Sequence, residues 1–210
     1  MEYEENQVYS KEVIEFVTVS NEFCNFLETA KDVKLKEFIT ISHKLLALLY
    51  FKATTLPRFE ANFEEANEKF VTEDDYNYIH NIVSKKFGQY DSYEEVFDPV
   101  RQESEEPVSA SLAEDFADMY QDIKDFLMLY RVSPVDIMND AVWECQQNFE
   151  RYWGQKLVNA LRALHTLCYN TEITEPEEQT KNSENPDCQV DLSNWAISKK
   201  QQEYRDEESE

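Results

Sequence analysis

Residues 111–130 read SLAEDFADMYQDIKDFLMLY, and this stretch decides the fold. Ser111 and Glu114 stand three apart just ahead of an apolar run. That is the spacing of a capping box, in which a hydroxyl and a carboxylate satisfy backbone amides at a helix start. Phe116, Met119, Tyr120, Ile123, Phe126, Leu127 and Tyr130 then recur at three- and four-residue intervals, forming one stripe of a helix that other helices must cover. Asp118, Asp122 and Asp125 fall at i, i+4 and i+7 on the opposite side. Three carboxylates so spaced could chelate a divalent cation. The geometry reads instead as a solvated acidic face, one that a basic partner could use.

Downstream, Ser133-Pro134 supplies an N-cap and a proline for the first helical position, and a fifth helix runs from there to Tyr169, roughly 54 Å. Its apolar face shifts partway, from Ile137, Ala141 and Cys145 to Leu157, Leu161, Leu164 and Cys168. Gly154 lies near the change, where a kink or a change of packing partner is expected. Glu144, Asn148 and Arg151 share the side of Ile137 and Ala141. Polar groups on an inner face must find partners. They form either a structural network in which Arg151 pairs with a carboxylate, or a pocket for a small charged ligand. Trp143 and Trp153 point away from that face and need a second helix or an external protein to cover them.

Upstream, residues 10–31 form a first helix on the stripe Val13, Phe16, Val17, Ser20, Cys24 and Leu27. Residues 34–52 are apolar nearly all round, which marks the central helix of a bundle, and Pro57 ends that segment. Thr72 and Asp75 open a third helix, and Gly88 closes it. Tyr76, Ile79, His80, Val83 and Phe87 occupy its inner face, so His80 reads as a satisfied core imidazole. Residues 89–108 show no period and many acids, a long connector pinned by Tyr93, Val96 and Phe97. From residue 171 to 210 twelve acids face four bases, and such a segment cannot bury enough apolar surface to order itself. The expectation is an all-α bundle of about five helices over residues 1–170, followed by a disordered acidic tail. Leu192, Trp195 and Ile197 make one amphipathic island in the tail, either a docking peptide or a strip that folds back on the bundle.

Composition limits the function. The 210 residues carry 44 Asp and Glu against 20 Lys and Arg, for a net charge of −24. Nucleic acid is excluded as partner, because phosphate binding runs on clustered Lys and Arg. Only 2 glycines are present, too few for a dinucleotide fingerprint or a phosphate-cradling loop. The longest apolar run, residues 45–51, is far short of the ~20 residues a membrane span needs. The acidic N-terminus is unlike a secretory signal, which places the protein in the cytoplasm. The four cysteines have no zinc-type spacing, and Cys24, Cys145 and Cys168 read as small hydrophobes. No Glu-x-x-His occurs, so a di-iron bundle is excluded, and no metal or other cofactor is expected.

Four strings carry a resemblance: FVTVSNEFC at 16–24, FVTEDDYNY at 70–78, YEEVFDP at 93–99 and MNDAVWECQQNFERYWGQKLVNALRAL at 138–164. Over about residues 10–169 the chain resembles an uncharacterised helical family of Bacteroidetes-type bacteria, a domain of unknown function. The resemblance implies an all-helical cytosolic protein with the connector partly ordered against the bundle. It carries across no activity, cofactor or catalytic residue.

The leading expectation is a non-enzymatic interaction module whose acidic surface engages a basic protein, with Asp118, Asp122, Asp125, Trp143, Trp153 and Trp195 as the candidate surface. Two alternatives stand beside it. One is a ligand-binding or enzymatic bundle using the seam of Glu144, Asn148, Arg151 and His80. The other is a self-associating structural protein with a tryptophan patch as its dimer contact.

Overall fold

The computed structural model describes residues 6–95, 108–170 and 172–173. Most of the acidic connector and the segment from 174 onward, with its Trp195 island, lie outside the described residues. A 3-10 turn, Gln7–Tyr9, leads into α1 (Lys11–Thr29). Then come α2 (Leu35–Thr54), α3 (Glu73–Phe87), α4 (Leu112–Val132), α5 (Val135–Asn148) and α6 (Gly154–Asn170). The last two continue through a π-helical turn, Phe149–Trp153, so the bundle is built from five rods among the described residues. Two short strands, β1 (Ser92–Glu95) and β2 (Val108–Ser111), pair antiparallel in the register Ser92 to Ser111. The connector therefore begins and ends as a ribbon where an irregular loop was expected.

The caps explain the boundaries. Thr72 and Asp75 form a full capping box at α3, and Gly88 ends that helix at φ 51°, a conformation that disfavours a side chain. At α4 the Ser111 hydroxyl accepts from the Glu114 amide as expected. Asp91, upstream of the helix, adds to this cap: its carboxylate accepts from the Ser111 hydroxyl at 2.7 Å and the Ala113 amide at 2.8 Å. Pro134, one residue later than expected, occupies the N-cap of α5.

The central helix is α4, which corrects the expectation for α2. Fourteen residues of α4 are buried, because it packs against α1, α3, α5 and α6. α2 lies at the periphery on α1 and α6, and leaves Leu48, Tyr50 and Phe51 exposed. Around α4 runs a phenylalanine cluster drawn from four helices. Phe38 stacks on Phe26 at 5.2 Å, meets Phe87 edge-on at 5.4 Å and reaches Phe116 at 6.1 Å.

The π-helical turn inserts one extra residue between α5 and α6. It rotates the following side chains by about 100° relative to a continuous helix. Trp153 thereby turns into the core, fully buried, with its indole N–H donated to the Cys145 carbonyl at 3.2 Å. Arg151 turns out to solvent. A Cβ at Gly154 would overlap the Phe149 carbonyl oxygen, which accepts the Gly154 amide in the π pattern. Alanine in an exposed helix stabilises by about 1 kcal/mol over glycine. Here Gly154→Ala is expected to do the opposite, lowering the midpoint of urea unfolding, because the turn must deform to admit the methyl group.

Candidate functional site

Between α2 and α3 the chain crosses the bundle as an extended strap, residues 55–72, sequence TLPRFEANFEEANEKFVT. Pro57 prevents α2 from continuing. With no helix or sheet to satisfy it, the strap's backbone needs partners. Side chains of α4 and α5 supply them. Gln146 donates to the Pro57 carbonyl at 3.2 Å and accepts from the Phe59 amide at 3.4 Å. Asn139 donates to the Glu60 carbonyl at 2.7 Å. Asp140, itself buried, accepts the amides of Asn62 and Phe63 at 2.7 and 2.8 Å. Asp125, also buried, accepts those of Phe70 and Val71 at 2.7 and 2.8 Å.

This arrangement reassigns the acidic row of α4. Asp125 holds the strap. Asp122 accepts from the Asn148 side-chain amide at 2.8 Å. Asp118 accepts the hydroxyls of Tyr76 at 3.0 Å and Tyr152 at 2.8 Å, and pairs with Lys156 at 2.8 Å. None of the three forms a solvated face. The reason is the central position of α4, whose polar side meets α3, α6 and the strap. Asp115, with Asp125 one of two fully buried acids on α4, pairs with Lys156 at 3.3 Å and accepts the Tyr93 hydroxyl of β1.

The seam on α5 is present and filled. Glu144 pairs with Lys69 of the strap at 2.9 Å and accepts from Asn67 at 2.8 Å. Between Lys69, Asp122, Glu144 and Asn148 remains about 10 Å³, room for no more than about one water. Arg151 is absent from the seam, and its expected role belongs to Lys69, which periodicity could not place because the strap has none. His80 stands apart on α3, half-buried and stacked on Tyr76 at 6.4 Å. Of the tryptophans, Trp143 is half-buried against the core and Trp153 is sealed within it. Cys24 and Cys145 are buried, and burial pushes both thiols well above their ordinary range. Among the described residues no group of three or more His, Cys, Asp or Glu is arranged to hold a metal ion. None of their helices is long and apolar enough to cross a membrane.

Burial sets the electrostatics of these acids. It raises Asp122 to about 6 against the opposing Asn148 hydrogen bond and the Lys69 charge. It raises Asp115 to about 6 against Tyr93 and Lys156. Asp125 shifts up for the same reason, opposed by the Val71 and Phe70 amides. A carboxyl raised in the folded state holds its proton there after the unfolded chain has lost it. Its contribution therefore falls as pH rises from about 4 to about 6, then levels. Asp122→Asn keeps an acceptor for Asn148 but has no proton to lose. Its stability relative to the native chain is expected to rise across that window in thermal melts, and to stay flat from pH 7 to 8. Asp140→Ala leaves two strap amides without their acceptor. We expect a loss of about 2–4 kcal/mol, with protease cleavage appearing at residues 60–68.

What the strap leaves outward is charge. Glu60, Glu64, Glu65, Glu68, Glu73 and Asp74 are all exposed, and Phe63 among them is 52 % exposed. Lys69 is the one base of residues 60–74, and Glu144 engages it.

Comparison with known proteins places this architecture. A crystal structure of a Bacteroides fragilis structural-genomics protein superposes with a TM-score of 0.70 at 39% identity, covering 80% of this chain and 99% of that one. No curated protein matches the sequence. Residues 7–170, from the first 3-10 turn to the end of α6, match the family described as domain of unknown function DUF5063. The chain belongs to that family, and the matched residues are those of the strapped bundle described above.

Proposed function

We propose that the protein is a non-enzymatic interaction module that binds a basic protein through the outer face of its strap. The observation that carries this reading is the combination of exposed charge with a fixed backbone. Glu60, Glu64, Glu65 and Glu68 project from a segment tied at both ends by Asp140 and Asp125. A segment ordered before binding loses little entropy on complex formation. Phe63, half out of the surface in the middle of the acids, offers the apolar anchor that interface energetics favour. The surrounding carboxylates steer a basic partner toward it at rates that fall with salt.

The acids after residue 170 belong to the same reading as a further source of steering. The partner's identity would supply the process. Pull-down from a lysate of the source cells with the tagged full chain tests the proposal. A basic protein retained at low salt and released at high salt is expected. Glu64→Lys, Glu65→Lys and Glu68→Lys together should abolish its retention, and Phe63→Ala should weaken it at low salt and move its release to a lower salt concentration. Equal retention by the native and charge-reversed chains overturns the reading.

A further inference from the structure

The opposite character appears where α2 and α6 meet. A groove of about 560 Å³ runs between them, with Thr40, His43, Lys44, Leu48 and Phe51 along the α2 wall and Tyr169 on the α6 wall. Phe51 is 56 % exposed and Tyr169 67 %, and half of the large exposed apolar side chains among the described residues lie on these two helices. His43, His165 and Tyr169 form a ring cluster at the rim, with centroids 4.8 to 5.8 Å apart.

Charge separates this face from the remainder of the chain. α2 and α6 together carry Lys36, Lys44, Lys52, Lys156 and Arg162 against one acid, Glu37, in a protein of net charge −24. Lys52 is engaged by Glu15 and Lys156 by Asp118, both at 2.7–2.8 Å, yet bases still outnumber acids. Lys44 stands on the groove wall, and Arg162 shares a helical stripe with His165 and Tyr169. At physiological salt the screening length is about 8 Å, so an approaching segment responds to these nearby bases more than to the acids of the strap.

We propose that this groove docks an acidic amphipathic helix of a partner protein, its apolar side chains against Leu48, Phe51 and Tyr169 and its carboxylates toward Lys44 and Arg162. The shape favours a helix over a small molecule. Ligand pockets enclose most of their occupant. Here Thr40, Lys44, Ala47, Leu48, Phe51 and Tyr169 are all exposed, and the groove is open along its length. Thr40, Lys44, Leu48 and Phe51 fall at i, i+4, i+8 and i+11 and so share one exposed face of α2, a wall along which a second helix can lie. The sign of the charge selects an acidic helix. This site is independent of the strap and has the opposite preference, so the chain would join a basic protein on one face to an acidic one on the other.

The test is selection from a displayed library of amphipathic helical peptides, about four turns long, with the exposed positions randomised over acidic, neutral and basic residues. The immobilised full chain is the target. Enriched peptides are expected to be acidic, with apolar residues at i, i+3/i+4 and i+7. They should lose at least about tenfold in affinity, or about 1.4 kcal/mol, to Lys44→Glu and separately to Phe51→Glu. Both positions are exposed, so the fold tolerates the changes. Enrichment of basic or neutral peptides, undiminished binding by both variants, or no enrichment at all overturns the proposal. So does a dimer in sedimentation that Phe51→Glu dissociates, which assigns the groove to a second copy. Carbodiimide cross-linking of Lys44 to carboxylates after residue 170 of the same chain likewise assigns it to the chain's own C-terminal segment.

Discussion

Two carboxylates, Asp125 and Asp140, each accept a pair of consecutive backbone amides from the strap, and the rest of the structure is arranged around that pairing. Eighteen residues of extended chain cannot lie across a helical bundle unless their peptide groups are hydrogen-bonded. Burying an acid in turn requires donors that do not move away. The strap supplies the donors and the acids supply the acceptors. Neither is stable there without the other. This mutual requirement explains why α4 and α5 carry Asp, Asn, Gln and Glu on sides that face protein. It also explains why the space between Glu144 and Asn148 is filled by Lys69 and Asn67 rather than by a ligand.

The same requirement organises the charge of the molecule. Several of the 44 acids work inside, where tyrosine hydroxyls, amides and lysines hold them. Others crowd the outer edge of the strap, while α2 and α6 stay nearly free of acids. Net charge describes such a molecule poorly. A run of exposed acids lies on a segment whose backbone is pinned from beneath, while the line along which α2 and α6 meet carries more bases than acids.

Helix positions and their ends were legible because they rest on local rules. The stripe of α4, the Thr72 box and the positive-φ glycine at 88 each follow from spacing within a few residues. The failures arise where a residue's surroundings come from distant sequence. Hydrophobic period assigns the polar side of a helix to water, so Asp118, Asp122 and Asp125 read as solvated. In the central helix that side meets other elements. α2 looked central because it is apolar nearly all round, but several of those apolar residues face solvent. The strap carries no period at all, and its partners lie more than fifty residues away. Arg151 and Trp153 were exchanged between inside and outside by one inserted residue. The only sequence mark of that insertion was Gly154, read correctly as a change of face but not as its mechanism.

That single inserted residue acts as a phase shifter. Tyr169 lies sixteen residues beyond Trp153, about 24 Å along the helix axis. The direction in which it projects is set at the π-helical turn, because a helix transmits rotation along its length without loss. Were the turn to relax to α geometry, α6 would revolve by about a quarter turn about its own axis, carrying Tyr169, His165 and Arg162 away from α2. The groove between α2 and α6 thus has its geometry determined at the other end of α6, by a glycine that touches none of its walls.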